Sequence, residues 1–285
     1  MSASAILVSV AILGALGLTF AGLIALTHRK FKVWEDPRID AVADMLPNAN
    51  CGACGEAGCR AFAEGVVEGR IKPAGCTVMG ADEVVQLAEF LGVEAGEANK
   101  RVARLLCAGG SNVAAQQADY HGLETCKAAA AVAGGGKGCR WGCLGLSDCE
   151  VSCDFDAIHM NRYGLPVVDP EKCTACGDCV EACPKDLFVL MPIEQKLIVQ
   201  CKSHLEGDEI EELCRVACTA CGRCAADAAP GLIEMRDGLA VVDYERNELA
   251  DPVAIARCPT GAIVWVEGAQ RFDAAPTQAP EKAVA

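Results

Sequence analysis

The chain carries 285 residues, 20 of them cysteine, with 25 lysines and arginines against 39 aspartates and glutamates and a formal charge of −14. So acidic a balance excludes a nucleic-acid partner, because phosphate binding needs a basic footprint. The length suggests two or three domains, and cysteines grouped as C-x2-C favour a reduced metalloprotein over a disulfide scaffold, which has no need of that spacing.

The first predicted element runs from Ala5 to Leu26, 22 residues without a charge, enough to cross a bilayer as one helix. Arg29, Lys30 and Lys32 follow it and no basic residue precedes it. The positive-inside rule therefore puts the N-terminus outside and the rest of the chain in the cytoplasm. A cleaved signal peptide would begin with a basic stretch and carry a shorter apolar run, and export would send thiol-rich motifs into an oxidising space.

Next come Cys51, Cys54, Cys59 and Cys76, spaced C-x2-C-x4-C-x16-C. Gly52, Gly55 and Gly58 between them suit a tight ligand loop, and "CRAFAEGVVEG" reads as a short helix that carries the chain away before it returns to Cys76. Four cysteines could hold structural zinc, but zinc sites usually pair two C-x2-C elements and this stretch has one. An iron–sulfur cluster is the better expectation.

The run "CTACGDCVEACP" places Cys173, Cys176, Cys179 and Cys183 as C-x2-C-x2-C-x3-C-P, the pattern of two-cluster bacterial ferredoxins, in which the fourth cysteine of each run ligates the other cluster. One run predicts a second. It lies upstream at Cys139, Cys143, Cys149 and Cys153, with looser spacings and Asp154 where a proline is usual. The expected partition gives Cys139, Cys143, Cys149 and Cys183 to one cluster and Cys153, Cys173, Cys176 and Cys179 to the other.

A reduced copy follows. Cys218, Cys221 and Cys224 repeat the triplet, Ala228 stands where its fourth cysteine would be, and Cys258-Pro259 survives from the other half, so one cluster on Cys218, Cys221, Cys224 and Cys258 is expected. "CDFDAIHM", "CPKDLFVL" and "CPTGAIVW" each begin with a terminal ligand and continue as an apolar strand, and "GLPVVD" and "GLAVVD" read as second hairpin arms facing such strands.

Four clusters leave Cys107, Cys126, Cys201 and Cys214 unassigned. Cys107 and Cys201 each end an apolar strand-like run, and each is followed by another spare cysteine before the next motif. They are either small buried apolar side chains or a fifth metal or redox site. Other chemistry is thin. "AGGGKGC" lacks the Ser or Thr of a phosphate loop and the third glycine of a dinucleotide loop, and His28, His121, His159 and His204 are scattered.

The expected fold class is α+β: a membrane anchor over 1–32, a four-cysteine cluster domain over 33–100, a two-cluster ferredoxin-like module over 101–200, a single-cluster module over 201–270, and a disordered Ala/Pro-rich tail over 271–285.

The apolar helix with its basic end, the Cys51–Cys76 motif and the paired ferredoxin motifs together resemble the B subunit of the Rnf electron transport complex. "YHGLETC" and "GCLGLSDC" resemble its longer form, found in anaerobes, while the Cys51–Cys76 motif alone also resembles the cluster domain of corrinoid iron–sulfur proteins. The resemblance implies a membrane complex that couples electron flow between reduced ferredoxin and NAD to Na+ or H+ translocation. This chain would be its electron carrier, taking electrons from soluble ferredoxin and passing them through 4Fe–4S clusters to the other Rnf subunits, which hold the flavin and NAD sites. Two alternatives stand beside it: an anchored polyferredoxin that serves a hydrogenase or other reductase without ion pumping, and a structural zinc protein.

Overall fold

The computed structural model describes residues 3–31, 35–97 and 99–272. The tail expected to be disordered lies, beyond Phe272, outside the described residues.

Helix α1 spans Ala3–Phe31. Its stretch Val10–Phe31 has mean hydropathy 2.2 and buries nothing against the rest of the chain, and 22 helical residues reach about 33 Å, close to the thickness of a hydrocarbon core. The hydroxyls of Thr19 and Thr27 donate to the carbonyls of Ala15 and Leu23, so neither brings an unpaired donor to an apolar environment.

Three short helices follow: α2 (Pro37–Met45), α3 (Cys59–Val67) and α4 (Ala81–Leu91). The Asp36 side chain caps α2 by accepting from the Arg38 N–H, with Pro37 in the first turn. Glu83 reaches back to the Gly80 N–H at the start of α4, and Gly92, at φ +66°, ends it. Their inward faces, Ile39 and Val42, Phe62 and Val66, Val84 and Leu87, form a separate core. Phe62 is 2% exposed at its centre. Phe62→Ala should cost about 3–5 kcal/mol, read as a lower denaturant midpoint for loss of this domain; an unchanged midpoint would mean the ring does not tie the helices together.

The remainder is two ferredoxin-like units on one plan. In the first, β1 (Arg101–Leu105) is followed by α5 (Cys126–Ala131), α6 (Asp148–Val151), β2 (Ile158–Met160), β3 (Pro166–Val168), α7 (Asp178–Ala182) and β4 (Phe188–Pro192). In the second, β5 (Leu197–Val199) is followed by α8 (Gly207–Leu213), α9 (Arg223–Asp227), β6 (Ile233–Arg236), β7 (Leu239–Val242) and β8 (Ile263–Trp265).

The hairpins β2–β3 and β6–β7 use the repeated "GLPVVD" and "GLAVVD" as their second arms. The strands after Cys183 and Cys258 differ from expectation. They do not face those arms: β4 pairs antiparallel with β1, Leu105 opposite Phe188, and β8 pairs with β5, Val199 opposite Ile263. Each unit thus closes its first strand on its last, and β5, which precedes the expected boundary at 200, is joined to the later unit.

Candidate metal centres

None of the twenty cysteines is in a disulfide, and the fold gathers them into groups. Cys51, Cys54, Cys59 and Cys76 ring a cavity of about 340 Å³ walled by Leu46, Phe62 and Val78. Asn50 positions this loop, its side-chain oxygen accepting the Cys59 N–H at 2.9 Å. Burial pushes the Cys76 thiol up, opposed by the N–H groups of Val78 and Met79 that face it.

Cys153, Cys173, Cys176 and Cys179 ring a second cavity, about 320 Å³, walled by Ala103, Phe155, Ile158 and Leu190. The Sγ of Cys173 accepts from the Ala103 N–H and that of Cys153 from the Ala157 N–H. Burial, then the thiols of Cys173, Cys176 and Cys153, pushes Cys179 up to about 12. A third cavity, about 340 Å³, lies among Cys218, Cys221, Cys224 and Cys258 beneath Val199, Met235 and Ile263. Cys221 alone among the twenty is exposed.

Both C-x2-C-x2-C loops share a backbone feature that the sequence does not announce. Ala175 and Ala220, between the first two cysteines, take φ +59° and +58°, a left-handed conformation that costs an L-residue about 1–2 kcal/mol. The short helices α7 and α9 then start at once and carry Cys179 and Cys224 on their first turns.

A fourth cavity gathers a set other than the expected one. Cys139 is not with Cys143, Cys149 and Cys183; it rings a space of about 330 Å³ with Cys107, Cys201 and Cys214. The local cause is a tight turn, the Gly142 N–H donating to the Cys139 carbonyl, which sets the Cys139 and Cys143 side chains in different surroundings. The long-range cause is pairing between the units, where Ala114 bridges Cys214 and the Ala108 N–H donates to the Gln200 carbonyl. Burial followed by the thiols of Cys107 and Cys139 raises Cys214 to about 11, and burial raises Cys201 to about 12. The repeated placement of Cys107 and Cys201 after β1 and β5 was the available sequence signal.

Cys126, Cys143, Cys149 and Cys183 are left, and they are neighbours. Burial, then the thiols of Cys126 and Cys183, pushes Cys149 up to about 12. Burial also raises Cys143, with Cys107 and Cys149 among its neighbours. The Cys183 Sγ accepts the Leu187 N–H at 3.5 Å.

These sites fit cubane clusters better than single ions. Zinc holds sulfur at about 2.3 Å, yet among the described residues no three His, Cys, Asp or Glu side chains converge closely enough for one ion, while four thiols spread around a mostly apolar cavity. N–H groups aimed at sulfur suit a thiolate-bound cluster, whose potential they tune. Backbone also comes close: a Cβ on Gly109 would lie 3.1 Å from the Cys214 Sγ and 3.6 Å from the Cys107 Sγ.

Thiol sets of this kind on a ferredoxin-like fold, behind a helix long enough to span a membrane, define an iron–sulfur electron-transfer protein. Residues 46–78 match an Fe–S cluster family and residues 166–188 a 4Fe–4S binding domain. The B subunit of the Na(+)-translocating ferredoxin:NAD(+) oxidoreductase complex of Acetobacterium woodii is 43% identical over 260 residues, 91% of this chain and 78% of the relative. The B subunit of the ion-translocating oxidoreductase complex of Methanosarcina acetivorans is 37% identical over 91% of this chain and 98% of its own. That of the proton-translocating ferredoxin:NAD(+) oxidoreductase complex of Clostridium ljungdahlii is 37% identical over 87% and 88%. The chain belongs to the family of B subunits of ion-translocating oxidoreductase complexes, the Rnf family. It is an iron–sulfur electron-transfer subunit of an ion-translocating complex.

Proposed function

We propose that the chain takes electrons from soluble ferredoxin and relays them through five 4Fe–4S clusters to partner subunits in the membrane, in a complex that couples ferredoxin-to-NAD electron flow to Na+ or H+ movement. The ligand sets are Cys51, Cys54, Cys59 and Cys76; Cys153, Cys173, Cys176 and Cys179; Cys126, Cys143, Cys149 and Cys183; Cys107, Cys139, Cys201 and Cys214; and Cys218, Cys221, Cys224 and Cys258. Helix α1 anchors the chain, with its N-terminus outside and the clusters on the cytoplasmic side, as the basic residues at its C-terminal end favour.

The observation that carries this reading is that successive sets abut. The Cys218 N–H and thiol lie beside the Cys201 thiol. The Cys143 N–H donates to the Cys107 Sγ at 3.4 Å. The Cys149 thiol neighbours Cys179. Four sets therefore form one line, and the end set includes the exposed Cys221, where a soluble donor could approach. The Cys51 set, in the helical domain nearest α1 in sequence, is the remaining step towards the membrane.

Full-length protein purified anaerobically in detergent should contain about twenty iron and twenty acid-labile sulfide per chain, with spin-coupled EPR signals after reduction by dithionite. About sixteen iron would sink the five-cluster version, and zinc with little iron would sink the electron-transfer role of these sites.

A further inference from the structure

The cavity of Cys107, Cys139, Cys201 and Cys214 differs electrically from the other three that can be compared. Lys137 and Lys202 line it. No lysine or arginine lines the cavities of the Cys51, Cys153 or Cys218 sets, and Asp178 lines that of Cys153.

Both ammonium groups are held in place by carbonyls. Lys137 Nζ donates to the Gly109 carbonyl, and Gly109 is the residue whose backbone lies against the Cys107 and Cys214 sulfurs. Lys202, next in sequence to Cys201, donates from Nζ to the Asp186 carbonyl at 2.6 Å. Neither pairs with a carboxylate within 4.0 Å among the described residues, although Lys100, Lys172 and Lys196 do. Both side chains are half-buried, where charge is screened less than at the surface. The Lys137 charge lies near the Cys139 and Cys214 thiols and reaches Cys143 of the adjoining set as well, and with Lys202 also lining the cavity the uncancelled positive charge favours the form of its cluster that carries the extra electron.

We propose that Lys137 and Lys202 raise the reduction potential of the cluster bound by Cys107, Cys139, Cys201 and Cys214, making it the member of the line that fills first and holds an electron between the two ferredoxin units. This rests on the reading that a cluster is bound there. With clusters bound, one electron would arrive from the neighbouring reduced cluster of the Cys218 set and one would leave to the next, with no bond formed or broken.

The test is an EPR-monitored redox titration of the full-length protein beside Lys137→Met, Lys202→Met, Lys137→Arg and Cys139→Ser, with iron counted in each. Cys139→Ser identifies this cluster's component as the one it removes. In wild type that component should be reduced first; in each Met variant its midpoint should fall towards the others with iron unchanged, and Lys137→Arg should keep it near wild type. An unchanged midpoint in both Met variants at full iron content would overturn the inference while leaving the cluster in place. A wild-type count that Cys139→Ser does not lower would instead remove the cluster reading beneath it.

Discussion

Cys139→Ser should lose about four iron per chain, and Cys139→Ser combined with Cys107→Ser should lose no more than that, because both residues serve one cubane. Combined with Cys143→Ser, the loss should double to about eight, because Cys143, although Cys107 and Cys149 both neighbour it, does not line the Cys139 cavity. Residues acting on one site are non-additive and residues on separate sites add, so the pair of double variants reads out the partition directly. Had the C-x3-C-x5-C-x3-C run bound its cluster as a continuous motif, the Cys139/Cys143 variant would lose only about four. That result would return Cys139 to the set of Cys143, Cys149 and Cys183.

Gly136→Ala should unseat the loop that delivers Cys139. Gly136 has φ +77°, and a Cβ there would lie 2.0 Å from the Ala118 carbonyl oxygen, a backbone atom that cannot swing aside. The Gly136 carbonyl also accepts from the Gln117 and Ala118 N–H groups, so relief of the clash breaks the pairing that holds 115–118 against 136–138. The left-handed conformation alone costs alanine about 1–2 kcal/mol, and the displaced pairing should bring the total above about 3 kcal/mol. Anaerobic denaturant unfolding followed by cluster absorbance should show a lower midpoint. Gly14→Ala, where a Cβ meets nothing within 4 Å, should not move it. Equal midpoints for the two variants would mean that the loop tolerates the displacement.

Much of the architecture is legible in the sequence because its signals are local. The charge-free run became α1, the stretch after Cys59 became α3, and the repeated "GLPVVD" and "GLAVVD" became hairpin arms. Where pairing is between residues far apart, the sequence misleads. An apolar stretch after a ligand cysteine declares a strand but not its partner, so nothing local shows that β4 returns to β1 from so far along the chain. The same holds for Cys139, whose nearest cysteine neighbour in sequence is Cys143 while its cavity is shared with Cys107, Cys201 and Cys214. A ligand spacing reports the reach of a loop; it is silent about which of two adjoining cavities the loop serves.

The pairing of β1 with β4 and of β5 with β8 bears on how such a chain can grow. A unit whose first and last strands lie side by side takes in and releases the polypeptide at one place, the arrangement that tolerates insertion and permutation. Only the four residues 193–196 separate β4 from β5. Tandem duplication of the gene segment for one such unit therefore adds a complete folded bead without rethreading its neighbours, and the loss of one site's cysteines, of which Ala228 marks one and the cysteine-free stretch up to Cys258 the others, prunes one cofactor from the copy. Lineages can in this way lengthen or shorten the conductor while its two ends, the anchor and the exposed cap, stay as they are.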